Sequence, residues 1–271
     1  MDEIEKAIKE LESLEEVEIV KLSEGAEMQT QDVSNKIESG FKHIDSCIDG
    51  GFREGDFNII TGIPGEGKTT LSRMFTLNFA KQDVPTLWFS YEMTLKELWG
   101  SFESMGASKD LISFAPVELN DDLDWMFRHI DKAVKEHGVK AVFIDTLGDV
   151  VKSVKSQSEM NNYANYLAQI CKDLRNYAIK NNIMIFAIAH AVKNTRSKSN
   201  ETNNSDIANS NGIPAAATNI FHVWRAEGFN TIVKIGKSRR DGTKKDWRIK
   251  FAFENNCLLE KGASANADDL W

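Results

Sequence analysis

Cysteine is scarce in this chain. The three present, Cys47, Cys171 and Cys257, are scattered without the spacing of a metal or redox motif. They argue against a disulfide framework and read as reduced packing residues of a cytosolic protein. No basic-then-apolar leader opens the sequence. Its first ten residues, MDEIEKAIKE, are acidic, and a cytoplasmic location is expected. No apolar run approaches the roughly 20 residues that a membrane helix needs, so no membrane partner is expected. Positive charge is not in excess either. A formal net charge of −8 argues against a uniformly basic surface, although local fields decide whether a region binds anions. No internal repeat is evident.

What the chain has is 271 residues of 41% hydrophobic composition, enough for one full-sized domain with short extensions. Its charge is uneven. Residues 1–27 hold ten acids and three lysines. Residues 150–200 hold Lys152, Lys155, Lys172, Arg175, Lys180, Lys193, Arg196 and Lys198 against Glu159 and Asp173. A second basic stretch, 232–250, opposes eight Lys/Arg to Asp241 and Asp246. Such segments in an acidic chain suggest a confined anion-binding surface, the other reading being ordinary solvated faces.

Ile4, Ala7, Leu11 and Leu14 predict a helix over 2–20, with an apolar stripe so narrow that it needs a partner surface. Residues 23–36 are polar and read as a linker. The expected division is an N-terminal helix and linker over 1–36, a globular domain over 37–261 and a flexible acidic tail over 262–271. Within the domain, FNIITG (57–62), TLWFSYE (86–92), KAVFIDT (140–146) and IMIFAIAH (183–190) read as apolar strands. They alternate with helical spacing over 71–82, after Met93, over 123–138 and over 160–182. IFHVWR (220–225), TIVKIGK (231–237) and WRIKFAFE (247–254) alternate like antiparallel strands. The fold class is therefore α/β: a mainly parallel sheet with helices on both faces and antiparallel strands at the C-terminal end. The Asn/Ser-rich stretch 193–212 reads as a mobile loop.

Gly62-Ile63-Pro64-Gly65-Glu66-Gly67-Lys68-Thr69 fits GxxxxGK[ST] at every fixed position, between an apolar strand and a helix. Gly62, Gly65 and Gly67 let the backbone wrap phosphates without Cβ clashes, and loop amides with Thr70 and the helix start complete the cradle. Lys68 should reach the β- and γ-phosphates and Thr69 should ligand Mg²⁺. ATP and Mg²⁺ are the expected cofactors. Asp145 ends a buried strand, where an acid faces the ligand crevice and suits Mg²⁺ held through water. Glu92 ends the strand 86–92, within reach of a γ-phosphate as a base for the attacking water.

The segments GFKHIDSCIDGGFREGDFNIITGIPGEGKTT, FSYEM, VFIDTLGDV, IAHAVKN, SDIANSNGIPAAATNIFHVWR and KIGKSRRDG resemble, in order and at sensible spacing from about Ser39 to Glu260, the motor domain of DnaB-type replicative helicases. That group belongs to the RecA-like P-loop ATPases. The resemblance implies that Glu92 is the catalytic glutamate and that His190 senses the γ-phosphate. It also implies that Lys237 and Arg239, with Arg240 as the fallback, act in the neighbouring subunit's site. The stretch Pro214-Ala215-Ala216-Ala217 departs from that family, which usually carries charged or amide side chains there. Residues 1–36 would supply only a linker helix in place of that family's collar domain.

The expectation from these residues is an ATP-dependent DNA helicase or translocase, a homo-oligomeric ring of hexamer size on single-stranded DNA. Lys152 and Lys155, with Lys193, Arg196 and Lys198, would line its channel and hold backbone phosphates. Asp268-Asp269-Leu270-Trp271 would dock on a replication protein through a small-residue tether. The competing readings are a RecA/RadA-type recombinase or mediator, disfavoured because residues 1–40 contain no Phe of the polymerisation kind, and an ATP-switched loader or signalling protein.

Overall fold

The computed structural model describes residues 21–23, 35–150, 163–192, 200–207, 212–226, 228 and 230–266. Residues 1–32 form a unit of their own, and the account below concerns the rest. The helix expected over 2–20, the cations Lys152, Lys155, Lys193, Arg196 and Lys198, and the terminal Asp268–Trp271 lie outside the described residues.

The described residues form one nine-stranded sheet in the order β3-β2-β4-β5-β1-β6-β7-β8-β9. Four strands expected as apolar, β1 (Phe57–Gly62), β2 (Thr86–Ser90), β4 (Ala141–Asp145) and β5 (Met184–His190), run parallel, and β6 (Asn219–Ala226), expected with the antiparallel group, joins them by pairing parallel with β1 and antiparallel only with its other neighbour. A two-residue β3 (Ser113–Phe114) extends that edge. Beyond β6, β7 (Asn230–Ser238), β8 (Arg248–Glu254) and β9 (Cys257–Ser264) turn antiparallel. Strand β9 reaches Ser264, into the stretch read as tail, and its edge pairing with β8 supplies the order that its own weak alternation does not.

Alternation along the central strands divides the core between two helical layers. Ile60, Trp88, Phe143, Phe186 and Phe221 meet α1 (Lys42–Cys47), α2 (Lys68–Ala80) and α3 (Leu95–Ser104) through Ile44, Phe75, Phe79 and Phe102. On the other face Ile59, Phe89, Val142, Ile185 and Ile220 meet α4 (Leu123–His137) and α6 (Tyr163–Lys180), with the short α5 (Leu147–Val150) and α7 (Gly212–Ala216) beside them. Local chemistry sets the ends of these helices. Thr94 and Glu97 form a reciprocal capping box on α3. Asp122 accepts from the Trp125 amide at the start of α4, and left-handed Gly138 closes it. Helix α2 begins at Lys68 rather than Leu71, so Lys68, Thr69 and Thr70 at the end of the phosphate-loop motif occupy its first turn.

Cys47 and Cys171 are buried and all three thiols are free. Among the described residues no helix is long and apolar enough to cross a membrane. Part of the loop expected over 193–212 is not loose. Residues 200–207 are pinned to the strands beneath them, where Thr202 and Asn204 bond the two ring nitrogens of buried His222 at 2.9 and 2.8 Å. Glu201 bonds the buried Lys234 Nζ at 2.8 Å and the Arg248 guanidinium at 2.6 Å. Polar composition suggested solvent exposure, but these polar groups are satisfied by a buried network.

Candidate nucleotide and catalytic site

β1 delivers Gly62 to the carboxyl end of the sheet's centre, where sheets of this kind hold ligands. The chain then turns through Ile63–Gly67 into α2. A Cβ on Gly62 would come within 2.2 Å of the Val223 carbonyl oxygen on β6, so the close approach of these strands requires glycine. Gly67 caps α2 at φ 97°, a left-handed conformation that glycine adopts freely. No side chain caps this N-terminus, which leaves its amides directed at whatever anion the loop encloses.

Lys68 is only 5% exposed, and its Nζ donates to the Ile63 carbonyl at 2.9 Å. Burial draws its pKa below the usual lysine value, opposed by Asp145, Glu92 and Glu66. Thr69 Oγ1 donates to Asp145 Oδ2 at 2.8 Å. Asp145 is 1% exposed, and burial pushes its pKa up to about 6 against the pull of the Thr69 bond. Its other oxygen, Oδ1, is buried with no partner among the described residues. A hydroxyl and a buried carboxylate with one unused oxygen are the donor set that a hard divalent cation takes, so the residues fit Mg²⁺. Glu92, just past β2, has 45% of its side chain exposed, and its Oε1 lies 3.3 Å from Nε2 of His190, the last residue of β5. The five expected residues Lys68, Thr69, Glu92, Asp145 and His190 thus gather at the carboxyl end of the central parallel strands.

Lys237 and Arg239 lie at the opposite end of the strands. Ser238 pairs with Asn219, which pairs with Asn58 near the start of β1, four residues before Gly62. That spacing is roughly 13 Å of strand. Lys237 Nζ donates to the Pro214 carbonyl, and Arg239 donates to the carbonyls of Ala215 and Ala217. The two cations therefore sit over the last carbonyls of α7, where a helix end favours positive charge. The apolar Pro214–Ala217 stretch holds them by backbone instead of side chain. Burial, then Arg239 and Arg175, push the Lys237 pKa down to about 8. Arg240 is engaged differently, in an ion pair with the fully buried Asp56.

Several residues at the phosphate-loop end of the sheet escaped the sequence reading. Glu66, in a variable position of the loop, accepts from the Arg225 amide and from Asn200 Nδ2 (2.9 Å). Arg73 donates to the Thr69 carbonyl at 3.3 Å and neighbours Asp145. A cavity of about 530 Å³ opens beside the loop, lined by Gly67, Thr70, Arg225, Thr231, Phe253 and Leu258. Its volume falls within the range of small-molecule sites. The other walls come from strands about 155 to 190 residues beyond the motif, and no local pattern announces them.

Comparison with protein families matches residues 37–206 to the ATPase family KaiC. Among solved structures, the chain is similar to the ATPase domain of the protein named G40P, with 18% identity, a TM-score of 0.71, and coverage of 89% of this chain and 96% of that one. It is also similar to a KaiC-like protein from the hyperthermophilic archaeon Pyrococcus horikoshii, with 17% identity, a TM-score of 0.65, and coverage of 84% and 99%. At these identities the structural likeness is one of fold, and it is the RecA-like P-loop fold that the DnaB-type resemblance implied. With its phosphate loop inside the matched stretch, the chain belongs to the KaiC ATPase family.

Proposed function

We propose that this ATPase is a motor on single-stranded DNA, a homo-oligomeric ring that couples hydrolysis to duplex unwinding. In this reading Lys68 and the loop amides hold the phosphates of ATP. Water attacks the γ-phosphorus, Glu92 takes its proton, and ADP leaves. His190 holds the Glu92 carboxylate toward the nucleotide. Mg²⁺, held by Thr69 and Asp145, would supply counter-charge to the phosphates. Lys237 and Arg239 would complete the site of the next subunit.

One separation supports the shared site. Lys237 and Arg239 stand at the end of the strands away from their own phosphate loop, with Arg175 beside them. Cations so placed serve a transition state only if another copy brings its nucleotide to them. The DNA part rests on the DnaB-type resemblance of the motifs. The test is unwinding of forked duplexes with a 5′ or a 3′ single-stranded tail. The expected result is ATPase stimulation by single-stranded DNA and unwinding with one tail polarity. ATP hydrolysis that DNA does not stimulate, without unwinding, would reject the motor. That result would favour the second reading, an ATP-switched binding protein, for which the KaiC family match speaks.

A further inference from the structure

We infer that Ser90 is a further positioning residue of the cation site, its hydroxyl and the unused oxygen of Asp145 together holding a water of the hydrated divalent ion. The inference rests on the reading of Thr69 and Asp145 as the residues that hold that ion. Ser90 is the last residue of β2 and the register partner of Asp145 on parallel β4. The ladder continues past them, with the Tyr91 amide donating to the Asp145 carbonyl at 2.7 Å. Register partners on adjacent strands stand about 4.8 Å apart and project to the same face. Here that face is the one of Trp88 and Phe143, covered by α2, whose Thr69 already bonds Asp145.

Two polar atoms at this pair of positions lack a partner. Ser90 is 4% exposed, and its Oγ is buried with no hydrogen bond among the described residues. Asp145 Oδ1 is in the same condition. They do not bond each other, although a serine hydroxyl donates and a carboxylate accepts. Buried polar groups are as a rule satisfied. The group that satisfies both at once is small, donates to a carboxylate and meets a hydroxyl, which describes a cation-bound water. Outer partners of this kind orient a metal's ligands, and losing one typically weakens metal binding 10- to 100-fold. No sequence motif marks Ser90, which stands two residues before Glu92.

The test is Mn²⁺ titration, followed by the electron paramagnetic resonance signal of free Mn²⁺, with a non-hydrolysable ATP analogue bound. Ser90→Ala is expected to weaken Mn²⁺ about tenfold or more, with nucleotide affinity in EDTA and metal-free melting temperature unchanged. Ser90→Thr keeps the hydroxyl and is expected to hold Mn²⁺ within a factor of about three of the parent. Mn²⁺ binding by Ser90→Ala within twofold of the parent overturns the inference, as does a drop in metal-free melting temperature with Mn²⁺ affinity intact, which assigns Ser90 to packing. Thr69→Ala and Asp145→Asn separate the two layers. If they keep Mn²⁺, the cation site itself is misread. If they lose it while Ser90→Ala does not, only the role of Ser90 falls.

Discussion

Asp145 and Glu92 are carboxylates beside the same lysine, and burial sets them apart. Asp145 is sealed beneath α2 and bonded to Thr69, so it meets no bulk water and suits a cation. Glu92 is half open, steadied by His190, and can meet an attacking water. That Lys68, Thr69 and Asp145 come together was legible because one contiguous motif and one strand end carry them. Glu66, Arg73 and Ser90 were not, because their roles depend on partners that spacing does not reveal. For Glu66 these are the Arg225 amide and Asn200, far along the chain. Replacing Glu92 by Gln keeps shape and removes the proton acceptor. The variant is expected to bind an ATP analogue like the parent while its turnover falls about 100-fold or more. Nucleotide titration and phosphate release measure the two. Parent-like turnover would remove Glu92 from the chemistry.

Among elements, the segment 200–207 shows how a polar stretch becomes structure. Its side chains enclose His222, whose pKa burial pushes down to about 3, helped by the neighbouring charge of Lys234. The folded protein therefore binds fewer protons here than the unfolded chain between about pH 3 and the ordinary histidine value of 6.5. In that window stability rises with pH, so the contribution of neutral His222 is present above pH 6.5 and is lost as pH falls. His222→Gln cannot gain the charge. The stability advantage of the parent over this variant is expected to shrink by on the order of 2 kcal/mol between pH 7 and pH 5, read from denaturant melts at each pH. An advantage that does not change with pH would mean that His222 is not held neutral by its surroundings. Other elements were plain in the sequence, α4 through its spacing and the Gly138 stop. β3, α1 and β9 were not, since two or six residues, or an edge strand with a glycine at Gly262, carry too little periodicity and take their order from neighbours.

At the scale of the whole molecule, the parallel sheet with a helical layer on each face followed from apolar strands alternating with helical spacing, and the strand order did not. Which strands neighbour β1 depends on long-range pairing, and that pairing decides that the phosphate loop and the Lys237–Arg239 pair stand at opposite ends of the strands. The proposed ring converts this separation into a site shared between copies. Arg239 rests on the carbonyls that end α7, and in the proposed ring it would exchange them for a neighbour's phosphates. The most direct test mixes two inactive variants and measures phosphate release. Lys68→Ala lacks the phosphate cation, and Arg239→Ala lacks the cation offered to its neighbour. Each alone is expected to hydrolyse ATP poorly, with a loss of 10³-fold order for a trans-acting arginine. Mixed in equal amounts, they are expected to recover a measurable fraction of parent activity, because some interfaces join an intact loop to an intact arginine. Parent-like ATPase in Arg239→Ala and also in Lys237→Ala, or no recovery in the mixture of two inactive variants, would contradict the shared site.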